Sequence, residues 1–332
     1  MGIKYLLKFL NNNYSDTINV INTPNFNGQK VAIDVSIILY QVIIAIRNSG
    51  ADLTNHKGEI TSHILGLFNK TISLLKNNII PIYVFDGIPP IYKKKCINTR
   101  KEMKYQAYLK LEQAQTNEER IKYFKRTVSI SAEQLKECKL LLDLMGIPHI
   151  TAPAEADSQC AYLVKMGIAD SVITEDMDIL TFGANKIYRN VTSKHKDTIE
   201  INLHTILDKL DLTYEQFIEF CILLGCDYCE RIKELSPLEI YTYYYKYKNI
   251  PDTLNKLKND NINVPNIDNY LEIKEYFKNA PYIESNNLKL NEPNIEDLEH
   301  QLVNKYGLIK SKLQTKLVYL KQNYKNKQTN KS

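Results

Sequence analysis

Ile79-Ile80-Pro81-Ile82-Tyr83-Val84-Phe85-Asp86 is an apolar run of strand length that ends in an acid. Its β-branched and aromatic residues suit a pleated strand, and Pro81 lies near the start, where a missing N–H disturbs a ladder least. Two other runs share the form. Lys30-Val31-Ala32-Ile33-Asp34 is one, and Ser171-Val172-Ile173-Thr174, leading into Glu175-Asp176-Met177-Asp178, is the other. Unbroken apolar runs, rather than alternating ones, are expected of strands buried on both faces. Helical patterns fall between and after them, at residues 63–75, 132–145 and 155–166, with Pro153 suited to a first helical turn. This order predicts an α/β fold, a mostly parallel central sheet flanked by helices.

Outward from these strands the chain divides by composition. Residues 1–90 and 131–235 carry the strand–helix alternation. Residues 91–130 interrupt it with a polar, helical stretch that holds eleven Lys or Arg against four Asp or Glu, a local balance of +7. The whole chain of 332 residues has a net charge of +5, so the remainder stands at −2. A basic segment on a near-neutral body suits a polyanion, although a solvated helical face has the same composition. Residues 236–320 read as a helical C-terminal region, and residues 321–332 as a disordered basic tail. Apolar residues make up 44%, enough for a packed core, and no apolar run has the length of a membrane span. The first residues do not have the form of a secretory signal. The six cysteines are scattered, which suits reduced thiols; the single CxxC, Cys226 and Cys229, lacks two further ligands at zinc spacing, so no zinc is expected.

The chemistry lies in the acids. Asp34, Asp86 and the Asp176/Asp178 pair each follow a strand, where sites form in open α/β sheets. Any one of them could simply cap the next helix; the same ending on three strands favours one convergent site. Ala152-Pro153-Ala154-Glu155-Ala156-Asp157 puts two more carboxylates in a helix's first turn, and Leu223-Leu224-Gly225-Cys226-Asp227-Tyr228 puts Asp227 in a turn after an apolar helix. Seven carboxylates in a small volume repel one another unless cations join them. Ligation by oxygen alone suits Mg2+, with Mn2+ as a substitute, and two such ions can promote phosphodiester hydrolysis. None of the six histidines lies in the acid motifs, which weakens Ser-His-Asp schemes. No GxxxxGK[ST] loop is present, which disfavours an ATPase.

These motifs, in this order, resemble the flap endonuclease family of structure-specific 5′ nucleases, the XPG/Rad2 type. The resemblance runs through Met1-Gly2-Ile3, Ile33-Asp34-Val35-Ser36, Leu39-Tyr40-Gln41, Ile44-Ala45-Ile46-Arg47, Val84-Phe85-Asp86-Gly87 and the acid motifs above, to about residue 233. It implies a PIN-like nuclease fold with a helical arch at 91–130. It further implies a 5′ flap endonuclease with 5′–3′ exonuclease activity on branched DNA in replication and repair. Asp34, Asp86, Glu155, Asp157, Asp176, Asp178 and Asp227 would hold two Mg2+ ions. Lys93 and Arg100 would contact the scissile phosphate, and Tyr40, Arg47, Lys125 and Arg126 would contact DNA, Tyr40 by stacking on a displaced base. A catalytically dead DNA-binding scaffold of the same fold, or an exonuclease or bubble-cutting relative, is the alternative. The family setting implies a monomer acting inside the cell, in a nucleus or at a site of viral DNA replication.

Two departures stand out. Where the family has Gly-Ile-Gly-Pro in a tight turn that binds a monovalent ion and duplex phosphates, this chain has Glu234-Leu235-Ser236-Pro237, so the turn and its ion are in question. The tail lacks the family's sliding-clamp peptide. Asp157 is also one methylene shorter than the family's usual Glu.

Overall fold

Strand and helix alternate along the chain as the apolar runs dictate. In a computed structural model, residues 2–21, 26–191, 193, 195–285 and 287–329 are described. The elements in chain order are α1 (Leu6–Asn13), β1 (Ile18–Ile21), β2 (Lys30–Asp34), α2 (Val35–Ile46), α3 (Ser62–Lys76), β3 (Ile80–Phe85), α4 (Lys94–Glu112), α5 (Asn117–Arg126), α6 (Ala132–Leu144), β4 (His149–Thr151), α7 (Ala156–Lys165), β5 (Ser171–Ile173), α8 (Asp178–Thr181), β6 (Lys186–Arg189), β7 (Thr198–Asn202), α9 (Leu203–Leu210), α10 (Tyr214–Leu224), α11 (Pro237–Tyr247), α12 (Ile250–Asn259), α13 (Tyr270–Asn279), α14 (Ile295–His300) and α15 (Lys310–Thr329).

The chain forms two compact units that are not successive in sequence: residues 1–24, 86–97 and 151–284, and residues 25–85, 98–150 and 285–332. The basic stretch 91–130 and the C-terminal region 236–320 are each shared between the two. The second unit holds β2 and β3 as a parallel pair, Lys30 opposite Ile80 and Asp34 opposite Val84, with β4 next to β3. Val31, Ala32 and Ile33 are fully buried, as a strand covered on both faces requires. In the first unit β5 and β6 are parallel, while β7 is antiparallel to both β6 and β1. The α/β class is the expected one. The sheet is mixed, because β6, β7 and β1 form an antiparallel edge that the apolar runs did not announce.

The C-terminal helices of the first unit pack on α10, which is buried along Phe217–Leu224. Tyr241 and Tyr244 belong to this core: their hydroxyls donate to the Leu210 carbonyl at 2.7 Å and to Glu219 at 3.0 Å. The altered turn before α11 closes without glycine, and no described residue between 231 and 236 takes a left-handed φ. Ser236 caps α11 in a capping box with Glu239, and Pro237 fills the first helical turn. Glu234 accepts from the Asn263 backbone N–H at 3.2 Å.

The expected disordered tail is corrected over most of its length. Residues 321–329 continue α15, whose Leu313, Leu317 and Leu320 are buried, an i, i+4, i+7 stripe. Lys316 donates to Asn69 at 2.6 Å, and Lys76 lies 5.5 Å from the Tyr319 ring, fixing the helix to α3. The leucines precede residue 321; beyond them the helix runs on with no buried side chain of its own, and Lys327 donates to Asn78 at 3.2 Å. Residues 330–332 lie outside the described residues.

Candidate active site

Six of the seven acids named from sequence belong to the first unit. After β5 the chain folds back on itself: Thr174 Oγ1 accepts from the Asp176 N–H at 2.9 Å, and Asp176 Oδ1 accepts from the Asp178 N–H at 3.1 Å. The two acids are buried at 6% and 3% exposure, whereas Glu175, just before them, pairs with Arg189 at 3.1 Å and takes no part. Gly2 lies against this loop at a φ of +77°, and a Cβ there would stand 1.6 Å from Asp176 Oδ1. Asp86 Oδ1 accepts from the Ala156 N–H at 3.0 Å, at the positive end of α7. Gly87 makes this possible, since a Cβ would come within 2.1 Å of the Ala152 carbonyl oxygen. Glu155 is the N-cap of α7 and Asp157 lies in its first turn.

Lys93 joins the acids, paired with Glu155 and 3.5 Å from Asp227. Burial opposes its charge, but Glu155, Asp227 and Asp157 together hold its pKa above the ordinary lysine value. Burial raises the Asp176 pKa, and burial with repulsion from Asp176 and Asp227 lifts Asp178 well above the carboxylate range. Glu155, Asp157, Asp176, Asp178 and Asp227 thus interact electrostatically with one another and with the Lys93 ammonium.

Among the described residues, no three His, Cys, Asp or Glu side chains are spaced to hold a metal ion as they stand. Lys93 spans two of the carboxylates, Glu155 and Asp227. The donor chemistry nonetheless fits hard cations. Every donor is a carboxylate oxygen, and Asp178 Oδ1 is buried with no hydrogen-bond partner. Cys226 and Cys229 are free thiols with their sulfurs 3.3 Å apart.

The remaining sequence-named residues lie in the second unit. Asp34 ends β2, and its Oδ1 accepts from the Ser36 N–H at 2.7 Å, so it does cap α2. Tyr40, Arg100, Lys125 and Arg126 line one groove, together with Lys104 and Lys110. Tyr40 is 41% exposed, and Lys125 donates to Asn48 at 2.9 Å. Lys104 and Lys110 were missed, although Arg100, Lys104, Ala107 and Lys110 recur at helical spacing along α4 and mark one face.

Arg47 is placed otherwise than expected of a DNA contact. It is buried, with Nε and Nη2 on Asp52 at 3.0 and 2.8 Å and Nη1 on the Phe124 carbonyl and Thr127. Its guanidinium lies 4.1 Å from the Phe124 ring centroid. A planar fork engaged on this many sides ties the end of α5 to α2 and is occupied within the chain. The sequence missed two further residues at the site. Tyr228 and Tyr276 both donate to Glu155 Oε2, Tyr276 at 3.2 Å. Burial and the Glu155 charge raise both phenol pKa values, which keeps them protonated donors.

The XPG N-terminal domain matches residues 1–107 and the XPG I-region matches residues 146–227, so both halves of an XPG-type nuclease are present. Flap endonuclease 1 of Heterostelium pallidum is 39% identical over 97% of this chain and 85% of its own length. The chain belongs to the flap endonuclease family, and it is a nuclease, a phosphodiester hydrolase. The solved flap endonuclease-1 from Methanococcus jannaschii superposes with a TM-score of 0.74 at 35% identity, covering 93% of this chain and 97% of that one. The catalytic core of Rad2 in complex with DNA substrate gives a TM-score of 0.74 at 25% identity, covering 94% and 99%. No helix among the described residues is long and apolar enough to cross a membrane.

Proposed function

We propose that the chain is a structure-specific 5′ flap endonuclease with 5′–3′ exonuclease activity, acting on branched DNA in replication and repair. The observation that carries this reading is the buried acid set of the first unit, which interacts with Lys93. Asp86, Glu155, Asp157, Asp176, Asp178 and Asp227, with Asp34 as the seventh acid that the family resemblance implies, would hold two Mg2+ ions, for which Mn2+ would substitute. When bound, such ions supply positive charge at a phosphodiester and lower the pKa of water.

The chain's own residues do the rest. The acids supply negative charge that is costly to bury unpaired, which makes cation binding favourable. Lys93 brings a fixed positive charge among them, where charge develops on a scissile phosphate, and the family resemblance assigns Arg100, in the groove of the second unit, to the same phosphate. The groove with Tyr40, Arg100, Lys104, Lys110, Lys125 and Arg126 offers cations to a backbone and an exposed aromatic face to an unstacked base. The test is a gel assay with Mg2+ on 5′-flap, nicked and bubble substrates. Preferred cutting of the flap supports the reading. Preferred cutting of the bubble favours a bubble-type relative, and binding without cutting favours a DNA-binding scaffold.

A further inference from the structure

The two oxygens of Glu155 have different partners. Oε1 meets Lys93, while Oε2 accepts from both Tyr228 and Tyr276. Tyr228 follows the acid Asp227, but Tyr276 comes from α13, 121 residues beyond Glu155. Its ring is fixed edge-on to Tyr228 at 5.5 Å and to Phe182 at 5.9 Å, and lies 6.2 Å from Tyr92. The chain after α13 is bound to α7 as well. Gln159 exchanges two hydrogen bonds with the Ile283 backbone, at 2.9 and 2.8 Å, and Tyr162 stacks on Tyr282 at 3.9 Å. The helix that carries Glu155 is therefore held at both its first turn and its middle by the α13 segment.

We infer that Tyr276 is a positioning residue for hydrolysis: together with Tyr228 it holds Glu155 Oε2, which makes Oε1, the oxygen that meets Lys93, the one turned toward a cation. The inference rests on the proposed two-cation reading. A carboxylate that ligates metal needs its second oxygen held, because free rotation spreads it over several poses. Removing the partner of a metal ligand lowers metal affinity or activity by about 10–100-fold. A lost donor also leaves the carboxylate richer in charge, which favours a cation, so the direction of the effect decides between orientation and basicity.

The test is Tyr276→Phe, which removes the hydroxyl and keeps the ring. Mn2+ binding to the DNA-free protein is followed by calorimetry, flap cleavage is followed against Mg2+ concentration, and melting is followed in EDTA. We expect Mn2+ binding to weaken about tenfold and the half-saturating Mg2+ to rise by a similar factor, with the EDTA melting temperature unchanged. Tyr276→Leu should weaken Mn2+ binding equally while also lowering the melting temperature through the lost ring. Mn2+ affinity in Tyr276→Phe equal to or above that of the wild type overturns the inference, as does a fall in melting temperature with unaltered affinity. Failure of the wild type to cut flaps in Mg2+ would instead count against the proposed function, while the calorimetric arm still decides the role of Tyr276.

Discussion

Asp178 should destabilise the metal-free protein, and its removal should show by how much. The carboxylate is 3% exposed, Oδ1 has no hydrogen-bond partner, and Asp176 and Asp227 repel it. Burial first, and those two charges next, raise its pKa well above the ordinary carboxylate range. An acid with a raised folded-state pKa contributes stability below its unfolded pKa and loses it as pH rises through the folded one. At neutral pH, above the unfolded pKa, the group is thus a net cost. Asp178→Asn keeps the shape, removes the charge and adds an N–H donor beside carboxylates. An unsatisfied buried group costs about 1–3 kcal/mol, more when charged, so a gain of about 2 kcal/mol is a conservative expectation. Unfolding entropy for a chain this long is about 0.7 kcal/mol/K, which converts the gain to about 3 °C. The assay is scanning calorimetry at about pH 7.5 in EDTA and then in excess Mg2+. The variant should melt higher in EDTA. Mg2+ at a hundred times its dissociation constant stabilises the wild type by about 2.7 kcal/mol, so the gap should close or invert. The advantage should also vanish below about pH 4, where both states of the wild type are protonated. A variant that melts lower than the wild type in EDTA, or a gap indifferent to Mg2+, refutes the argument.

The double variant Asp176→Asn/Asp178→Asn should lose cleavage while retaining flap binding, because backbone cations carry most of the affinity; wild-type turnover by this variant would remove the acids from the chemistry. Lys93→Ala and Arg100→Ala should slow single-turnover cleavage by the equivalent of about 2–4 kcal/mol and weaken binding less; unchanged single-turnover rates with reduced affinity would make both residues tethers. Arg47→Ala breaks a buried bidentate pair with Asp52 and should cost about 3–5 kcal/mol, with hydrogen-exchange protection lost over 117–127; a mutant that keeps its stability but loses DNA affinity would return Arg47 to the DNA contacts. Flap cleavage should differ little between K+ and Na+ at matched ionic strength and tolerate trimming of the downstream duplex, since the turn before α11 lacks glycines and carries Glu234; a strong K+ requirement would show that the closed turn still holds its ion.

Fold and acids were legible because each rests on local chemistry. A run such as Val31-Ala32-Ile33 has no polar face to expose, so it must be covered on both sides, and the residue where it meets the surface is polar. Strands β6 and β7 were less legible because Lys186-Ile187-Tyr188-Arg189 and Thr198-Ile199-Glu200-Ile201-Asn202 are only partly covered, and short segments that mix polar with apolar residues resemble many loops. The tail failed for the opposite reason: its own residues are polar throughout, and the leucine stripe that anchors α15, Leu313, Leu317 and Leu320, lies wholly before residue 321.

The site was legible in its charges and not in what aims them. Arg47 illustrates the difficulty, since an arginine at the end of an apolar helix has the same sequence signature whether it faces a phosphate or a buried aspartate. Only the return of the chain at Asp52 and at Phe124 shows that its donors are engaged internally. Tyr276 illustrates it more sharply. Twenty-three tyrosines are present, and a tyrosine in a helix distant from every acid motif carries no sign of its target. A ligand's charge is written at its own position, whereas its orientation is set by whichever segments pack against it. For Glu155 those are the Asp86–Ile97 segment, which brings Lys93, the turn after α10, which brings Tyr228, and α13, which brings Tyr276. An acid converges on its site by ending a strand; its hydrogen-bond partners converge only when the core has closed.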